Sequence, residues 1–580
     1  TYMPWLPDDG TGIRRWTSSA YSFESHNKNM PAIIGDNAMK RDNNFDINAQ
    51  LWLEINLAKG LTWYTKGAAR LQSNKSKDWR GSTTYTYDYH TGERSSELDK
   101  GGLGLSVGDG RRFYTNLYSY LKYDLSLVDN AHNFSLMVGY NQESEKYETL
   151  NAYRKDFAFD LPVLNAGGTA DWSNSGGEEE WAIQSLFGRF NYDFKERYLF
   201  EANMRYDGTS RISDENRWGV FPSFSVAWRA TEEEFIKNLN LNWLNNFKLR
   251  GSYGTTGNQN FSPYSFYSTV SPGYDYTTGT GSGEYLGLGT TQVKYANPDV
   301  KWETSEQYNL GLDLAFLNNK VTLTAEYYST RKRDMLFPVT LPGSTGSASQ
   351  LTMNVGNMVN SGYELAAQYR SHIGKFYYNL SGTFSTNTNK ITRINGDGTR
   401  ISAYKWGLVS GAQDVSQVTY IAEGYEAGAF FLYPTDGIIN SSEKLAAYQK
   451  INPSAKMGDL IYKDTDKDGK ITDNDRVYCG SGLPKYEIGF IMQFNYMGFD
   501  LYTNFYSALG HEIMNGSRAT AFGYGRHKDL VAMYSPVNTD SPIPTYRGDL
   551  KSHPNYHADT DLWLEDGSYL RLKNITLGYT

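Results

Sequence analysis

The residues with the most evident chemical purpose lie in the run KDTDKDGKITDNDR. Asp464, Asp466, Asp468, Gly469, Lys470, Ile471 and Asp475 reproduce the D-x-D-x-D-G-x-I spacing of a calcium loop, with an acid at the twelfth position. Calcium takes roughly six to eight hard oxygens. Three alternate carboxylates, the carbonyl of Lys470, a water or Thr472 at the ninth position and Asp475 supply them, and Gly469 permits the sharp turn. Asp475 in place of Glu has a shorter reach, which weakens the case for bidentate ligation. An Asp/Gly-rich turn without metal is the competing reading. A second set of candidates is aromatic: Tyr404, Trp406, Tyr425, Phe430, Phe431 and Tyr433 carry rings that stack on sugars or pack on peptide side chains, or else pack the loops together.

Catalytic motifs fail on inspection. His511-Glu512 begins like a zinc-protease helix, but Asn515 stands where the second His belongs. The Gly279–Gly289 run lacks the phosphate-loop Lys, and no Ser or His sits in a nucleophile-elbow context. The single Cys479 excludes an internal disulfide framework and a Cys-based metal cluster. A net charge of −8 without a basic block interleaved with aromatics argues against a nucleic-acid partner. The reading is therefore of a non-enzymatic chain with no organic cofactor.

The elements that carry these residues alternate with period two. In YLFEANMRY, Tyr198, Phe200, Ala202, Met204 and Tyr206 share one face, and Glu201, Asn203 and Arg205 the other; VFPSFSVAWR repeats the pattern with Val220, Phe224, Val226 and Trp228. About fifteen such strands follow from Ile47 to the end of the chain. The final run from Ser568 alternates imperfectly, as at a bulge. Short connections (58–60, 126–132, 195–197, 318–319, 372–373) take turns with long ones (73–112, 147–184, 257–303, 335–359, 389–484, 512–567). The intermediate connection 231–245 belongs with the short set, and its TEEEFIKNL suits a helical turn. No stretch nears the roughly 18 apolar residues of a spanning helix, whereas 47 Tyr and an aromatic content of 15% suit the girdles of a membrane barrel. A soluble array of sheets is the alternative, but it gives no reason for every long loop to lie at one end. The pattern predicts an all-β transmembrane antiparallel barrel with long extracellular loops in a bacterial outer membrane.

RYDGTSRISDENRWGVFPSFSVAWR (Arg205–Arg229) resembles the hallmark barrel segment of the SusC/RagA family of TonB-dependent outer-membrane transporters. Five further runs agree in order: NFKLRGSYGTTGNQ (Asn246–Gln259), WETSEQYNLGLD (Trp302–Asp313), NVGNMVNSGYEL (Asn354–Leu365), EGYEAGAFFLYPTDGI (Glu423–Ile438) and GSYLRLKNITLGYT (Gly567–Thr580). The resemblance implies a 22-stranded barrel, an N-terminal plug, a TonB-contact segment and a SusD-like surface lipoprotein as lid. On that footing residues 1–46 are the remainder of an extracellular loop and 47–580 correspond to roughly family strands 6 to 20, with plug and TonB contact outside the sequence. The implied function is import of nutrient oligomers, either oligosaccharide or peptide, with a non-transporting receptor or assembly component and a passive porin-type channel as alternatives.

Overall fold

The period-two patterning carries directly into the backbone. The computed structural model describes residue 16 and residues 38–580, apart from 82–84, 89–90, 98–103, 280, 282–283, 341–349, 395–400, 406–416, 524, 526, 548–552 and 558. Its main sheet has 16 strands. In chain order these are β1 (Met39–Ala58), β2 (Leu61–Trp79), β3 (Leu105–Leu127), β4 (His132–Arg154), β5 (Ser173–Phe194), β6 (Tyr198–Thr209), β7 (Trp218–Arg229), β8 (Leu244–Asn258), β9 (Glu303–Phe316), β10 (Val321–Thr340), β11 (Gln350–Ile373), β12 (Phe376–Thr386), β13 (Thr388–Ile394), β14 (Tyr486–Tyr496), β15 (Phe499–Leu509) and β16 (Tyr569–Tyr579). Each strand pairs antiparallel with the next, the path running from β12 to β14 while β13 pairs with the upper part of β11. This is an up-and-down antiparallel wall, as the alternating strands and their connections predict.

The strands reach further than the apolar alternation predicts. β1 starts at Met39 inside the expected 1–46 loop, β3 starts at Leu105, and β10 and β11 take up most of the expected 335–359 loop. The extra length is polar, as in MKRDNN of β1 and SNSGGEEE of β5. A ladder of backbone hydrogen bonds continues above the apolar band without needing apolar side chains.

The two faces separate as the sequence reading requires. Val138, Phe224 and Leu310 lie on one face of interior strands and are 59%, 47% and 56% exposed, the pattern of a wall covered by lipid. Glu201, Asn203, Arg205, Ser223 and Ser225 lie on the other, where Asn203 donates to Glu201 at 2.7 Å and to Ser223 at 3.3 Å, and Arg205 to Ser185 at 3.0 Å. The buried apolar clusters sit at or above the rim, such as Trp79 with Leu105 and Phe157, and Ile212 with Phe221 and Trp302.

The lower turns are tight. Asn318 and Asn319 adopt left-handed φ of +59° and +60°, which Asn tolerates. The 231–245 connection contains the expected helical turn, Glu234–Lys237. Before it, Glu233 accepts hydrogen bonds from Tyr198 (2.6 Å), Trp228 (3.2 Å) and Arg197 (3.3 Å), clamping the lower ends of β6 and β7. These bonds, the tyrosine's first, hold the Glu233 carboxyl below its ordinary pKa. The anticipated bulge lies in β16: Asn504 pairs with Asn574 and Phe505 with Leu572, leaving Lys573 as the extra residue. Gly362 on β11 marks where β12 gives way to β13; a Cβ there would stand 1.9 Å from the Thr386 carbonyl oxygen.

Two substitutions at neighbouring positions test the two-faced wall. Phe224 lies midway along β7 on the outer face, and Ser225 beside it faces inward. Phe224→Arg is expected to destabilise the full-length protein in lipid vesicles by about 2–4 kcal/mol, and Ser225→Arg far less, as read by denaturant unfolding. Equal effects would contradict the assignment.

Candidate functional site

Two regions bring chemically capable side chains together: the outer loops between β13 and β16, and the inner face of the wall. The loops form a folded unit. Strands 401–405, 417–421, 429–432 and 477–481 make a four-stranded sheet, and 435–438 pairs with 460–462. Helix Ser442–Tyr448 is capped by Ser441, which accepts the Lys444 N–H. Apolar cores hold the unit, two of them large. One joins Val418, Phe430, Leu432, Phe522 and Trp563, the other Ile439, Tyr448, Leu460 and Tyr462.

Between these cores Arg476 is nearly buried. It donates to Asp559 at 2.9 Å and to Asp473 at 3.0 Å, and its guanidinium stands 4.3 Å from the centroid of Tyr433. Burial works against its charge, but the Asp559 carboxylate beside it raises the Arg476 pKa above its ordinary value. A second buried carboxylate, Asp459, accepts from Arg547 at 2.7 Å and from the Lys456 backbone at 2.9 Å.

The acidic loop lies at the edge of this unit. Asp464, Asp466 and Asp468 each present a carboxylate oxygen, all within 4.8 Å of one another, an arrangement that could bind a metal. Backbone bonds shape the loop: Asp464 accepts N–H from Asp468 (3.2 Å) and Gly469 (2.8 Å), and Asp466 accepts N–H from Asp468 (3.1 Å). Gly469 has φ +84° and Lys467 +62°.

Asp475 is placed differently. Fully buried, it accepts N–H from Thr465 at 2.6 Å and from Thr472 at 2.7 Å, closing the base of the loop, and it does not join the triad. Thr472 caps the following 3-10 turn by accepting the Asn474 N–H. Burial alone would raise the Asp475 pKa, yet the backbone N–H groups of Thr472, Thr465 and Asp466 bring it below the ordinary value. The donor set fits a hard cation on one side only, with three carboxylates converging and the twelfth residue acting as a latch. Sequence spacing could not separate these roles, because a loop-closing carboxylate and a ligand occupy the same position in the motif.

The candidate aromatics divide in the same way. Phe430 and Phe431 are 8% and 4% exposed and belong to loop cores, so neither offers a ring face to a ligand. Tyr433 is half-buried, held by Arg476 and by its hydroxyl bond to Asp473 at 3.1 Å; burial pushes its pKa up to about 12. Tyr425 is exposed and packs at 5.0 Å on Tyr478, a residue the sequence reading did not single out. Tyr478 donates to Glu426 at 2.9 Å; burial and this carboxylate push its pKa up to about 12. The Tyr404 side chain and Trp406 lie outside the described residues.

On the inner wall, grooves of about 570 and 640 Å³ share Glu201, Ser225, Ser252 and Asn309 among their lining residues. Arg250 bridges Glu326 at 2.6 Å and Asp313 at 3.2 Å beside them. The surface is suited to polar solutes.

Comparison with known proteins places these features in context. A family model described as "TonB dependent receptor-like, beta-barrel" matches residues 1–455. TonB-dependent receptor P3 of Formosa agariphila is 31% identical over 487 residues, 82% of this chain and 46% of that protein. TonB-dependent receptor SusC of Bacteroides thetaiotaomicron is 27% identical over 485 residues, 82% of this chain and 45% of that protein. The chain thus spans about half the length of the curated relatives it matches. A solved structure of the RagAB peptide transporter shares the fold, with a TM-score of 0.74 at 22% identity over 93% of this chain and 56% of that one.

The Asp475 latch makes a pH prediction. Its lowered folded-state pKa means that its contribution is present above the unfolded value of about 3.9 and is lost as pH falls through the folded value. Protease protection of the 464–475 loop is expected to fall in that acid range, and to do so less in Asp475→Asn, measured by limited proteolysis with an acid-active protease. Identical pH profiles would remove the latch.

Proposed function

The chain belongs to the TonB-dependent receptor-like β-barrel family, an outer-membrane class of transporters and not of enzymes, and from that premise we propose that it forms wall and outer loops of an importer of nutrient oligomers. The cargo is an oligosaccharide or a peptide. A SusD-like lipoprotein covers the outer mouth, and TonB delivers energy through a region outside this sequence. The observation that carries the reading is the wall itself, apolar toward lipid and polar toward the lumen, with a folded loop unit at one end only. A porin-type channel or a surface receptor would share that wall but would not depend on TonB.

The 464–475 loop is proposed to hold calcium through Asp464, Asp466 and Asp468, with the Lys470 carbonyl and several waters completing the shell. The ion's role is structural: it offsets the repulsion of three converging carboxylates and stiffens the loop. Thr472 and Asp475 close the loop from behind. Tyr425 and Tyr433, with Tyr404 and Trp406, are proposed as cargo contacts on the outer loops.

Two experiments test these proposals. Deleting the gene is expected to abolish growth on at least one defined oligosaccharide or peptide as sole nutrient, with complementation failing in a TonB-deficient host; growth unchanged on every oligomer tried would overturn import. Elemental analysis of purified full-length protein is expected to find about one calcium that Asp466→Ala loses, together with protease protection of the loop. Protein without calcium, and with equal protection in the variant, would refute the metal.

A further inference from the structure

The outward face of the wall carries a charge pattern that contact with acyl chains does not require. β9, β10 and β11 each have both neighbours within the sheet. β13 pairs with β11, and its far edge is taken by Tyr425, which accepts the Ile391 N–H at 2.8 Å, and by Gly424, which donates to Ile391 at 2.8 Å. Nothing inside a barrel reaches the outward side of these strands.

Register sets the rows of this face. Leu310 pairs with Tyr327 and Tyr327 with Tyr363, and the two rings stand 5.2 Å apart. Both are exposed, at the level where amphipathic rings mark the edge of the hydrocarbon. Two residues higher along each strand the row reads Tyr308, Ser329, Ser361 and Thr388. Two residues higher again it reads Glu306, Arg331, Val359 and Lys390. Above that come Arg333 on β10 and Arg393 on β13, the latter opposite Asn357. Arg331 is four residues above Tyr327, about 13 Å along a strand tilted by about 40°, or roughly 10 Å along the membrane normal. Its side chain is long enough to bring the charge back into the headgroup layer.

On β3 to β5 the outward cations at this height are neutralised. Arg111 meets Asp109 at 3.4 Å, and Lys146 meets Glu148 at 2.6 Å and Glu178 at 3.3 Å. On β10 to β13 only Arg333 is held, by Glu306 at 2.9 Å. Arg331, Lys390 and Arg393 are exposed and have no carboxylate partner among the described residues. The other carboxylates at this end are committed, Asp334 to Lys301 at 3.1 Å and Glu423 to the Ile394 N–H at 3.4 Å.

Arg331 and Lys390 flank Val359, roughly 10 Å apart at the backbone, so both side chains reach one anion placed over it. Beneath them lie the hydroxyls of Ser329, Ser361 and Thr388, then the tyrosine rings, then exposed Leu310 and Leu365. A molecule that matches this order has a phosphate, a polar linker with acceptor oxygens and acyl chains. An acidic protein segment matches the top row alone.

We propose that the outward face of β10 to β13 is a docking site for a phosphate-bearing lipid of the outer leaflet. Arg331, Lys390 and Arg393 hold the phosphate, and the acyl chains lie on the wall below Tyr327 and Tyr363. The site is independent of what the barrel carries.

The test uses full-length protein in micelles of an uncharged detergent. Phosphatidate, whose headgroup is a phosphate monoester, is titrated in and bound copies are counted by native mass spectrometry, with phosphatidylcholine and inorganic phosphate run in parallel. Wild type is expected to bind phosphatidate about tenfold more tightly than Arg331→Gln/Lys390→Gln/Arg393→Gln, the order of effect for cations removed at an anionic lipid surface. Arg111→Gln/Lys146→Gln, which removes paired cations, should change it little. Each single Gln variant, at an exposed position, should lose part of the affinity, so the result does not depend on the triple variant folding.

Equal phosphatidate binding by wild type and the Gln variants would overturn the site. So would equal affinity for phosphatidylcholine, whose headgroup carries no net charge, since the contact would then be one of acyl chains only. Inorganic phosphate binding as tightly as phosphatidate would reduce it to an anion site without lipid. Intact lipid binding with an altered oligomeric state in the triple variant would assign the patch to contact between copies of the chain and overturn the proposal likewise.

Discussion

The wall is governed by the requirement that no backbone N–H or C=O be left unpaired in hydrocarbon, where water cannot substitute and each orphan costs several kcal/mol. Fifteen strands along one antiparallel path, with β13 paired to β11, meet that demand along their shared lengths. The consequence for side chains is an inversion of the usual arrangement. Apolar residues such as Val138, Phe224 and Leu310 are the exposed ones, because lipid is their partner. The wall therefore needs no core of its own, and its inner face can carry charged and amide side chains such as Glu201, Asn203 and Arg250.

What the wall does not need, the loops must provide for themselves. They stand in water above the membrane, so they fold as a soluble domain does. The clusters around Trp563 and around Tyr448 supply the hydrophobic term. The Arg476–Asp559 pair ties residues far apart in sequence, and its near-complete burial makes loss of either partner more damaging than loss of an exposed pair. At the opposite end the connections are too short for a core, and one carboxylate, Glu233, ties together a tyrosine, a tryptophan and an arginine.

This division explains what the sequence made legible. Strands crossing lipid must alternate, so Phe200, Met204, Val220 and Phe224 could be assigned a face from spacing alone. Strand ends above the lipid are free of that constraint, and β5 accordingly carries the polar run SNSGGEEE above its last apolar residue. In the loops, period and spacing lose their meaning. Phe430 and Phe431 read as possible ligand contacts because sequence cannot tell a ring facing a core from one facing solvent, and both proved to be core. Asp475 fits a motif position whose chemistry depends on which way the carboxylate turns, and it turns toward the Thr465 and Thr472 amides. The partner of Tyr425 had no signal, since Tyr478 reaches it only through the pairing of strands 429–432 and 477–481.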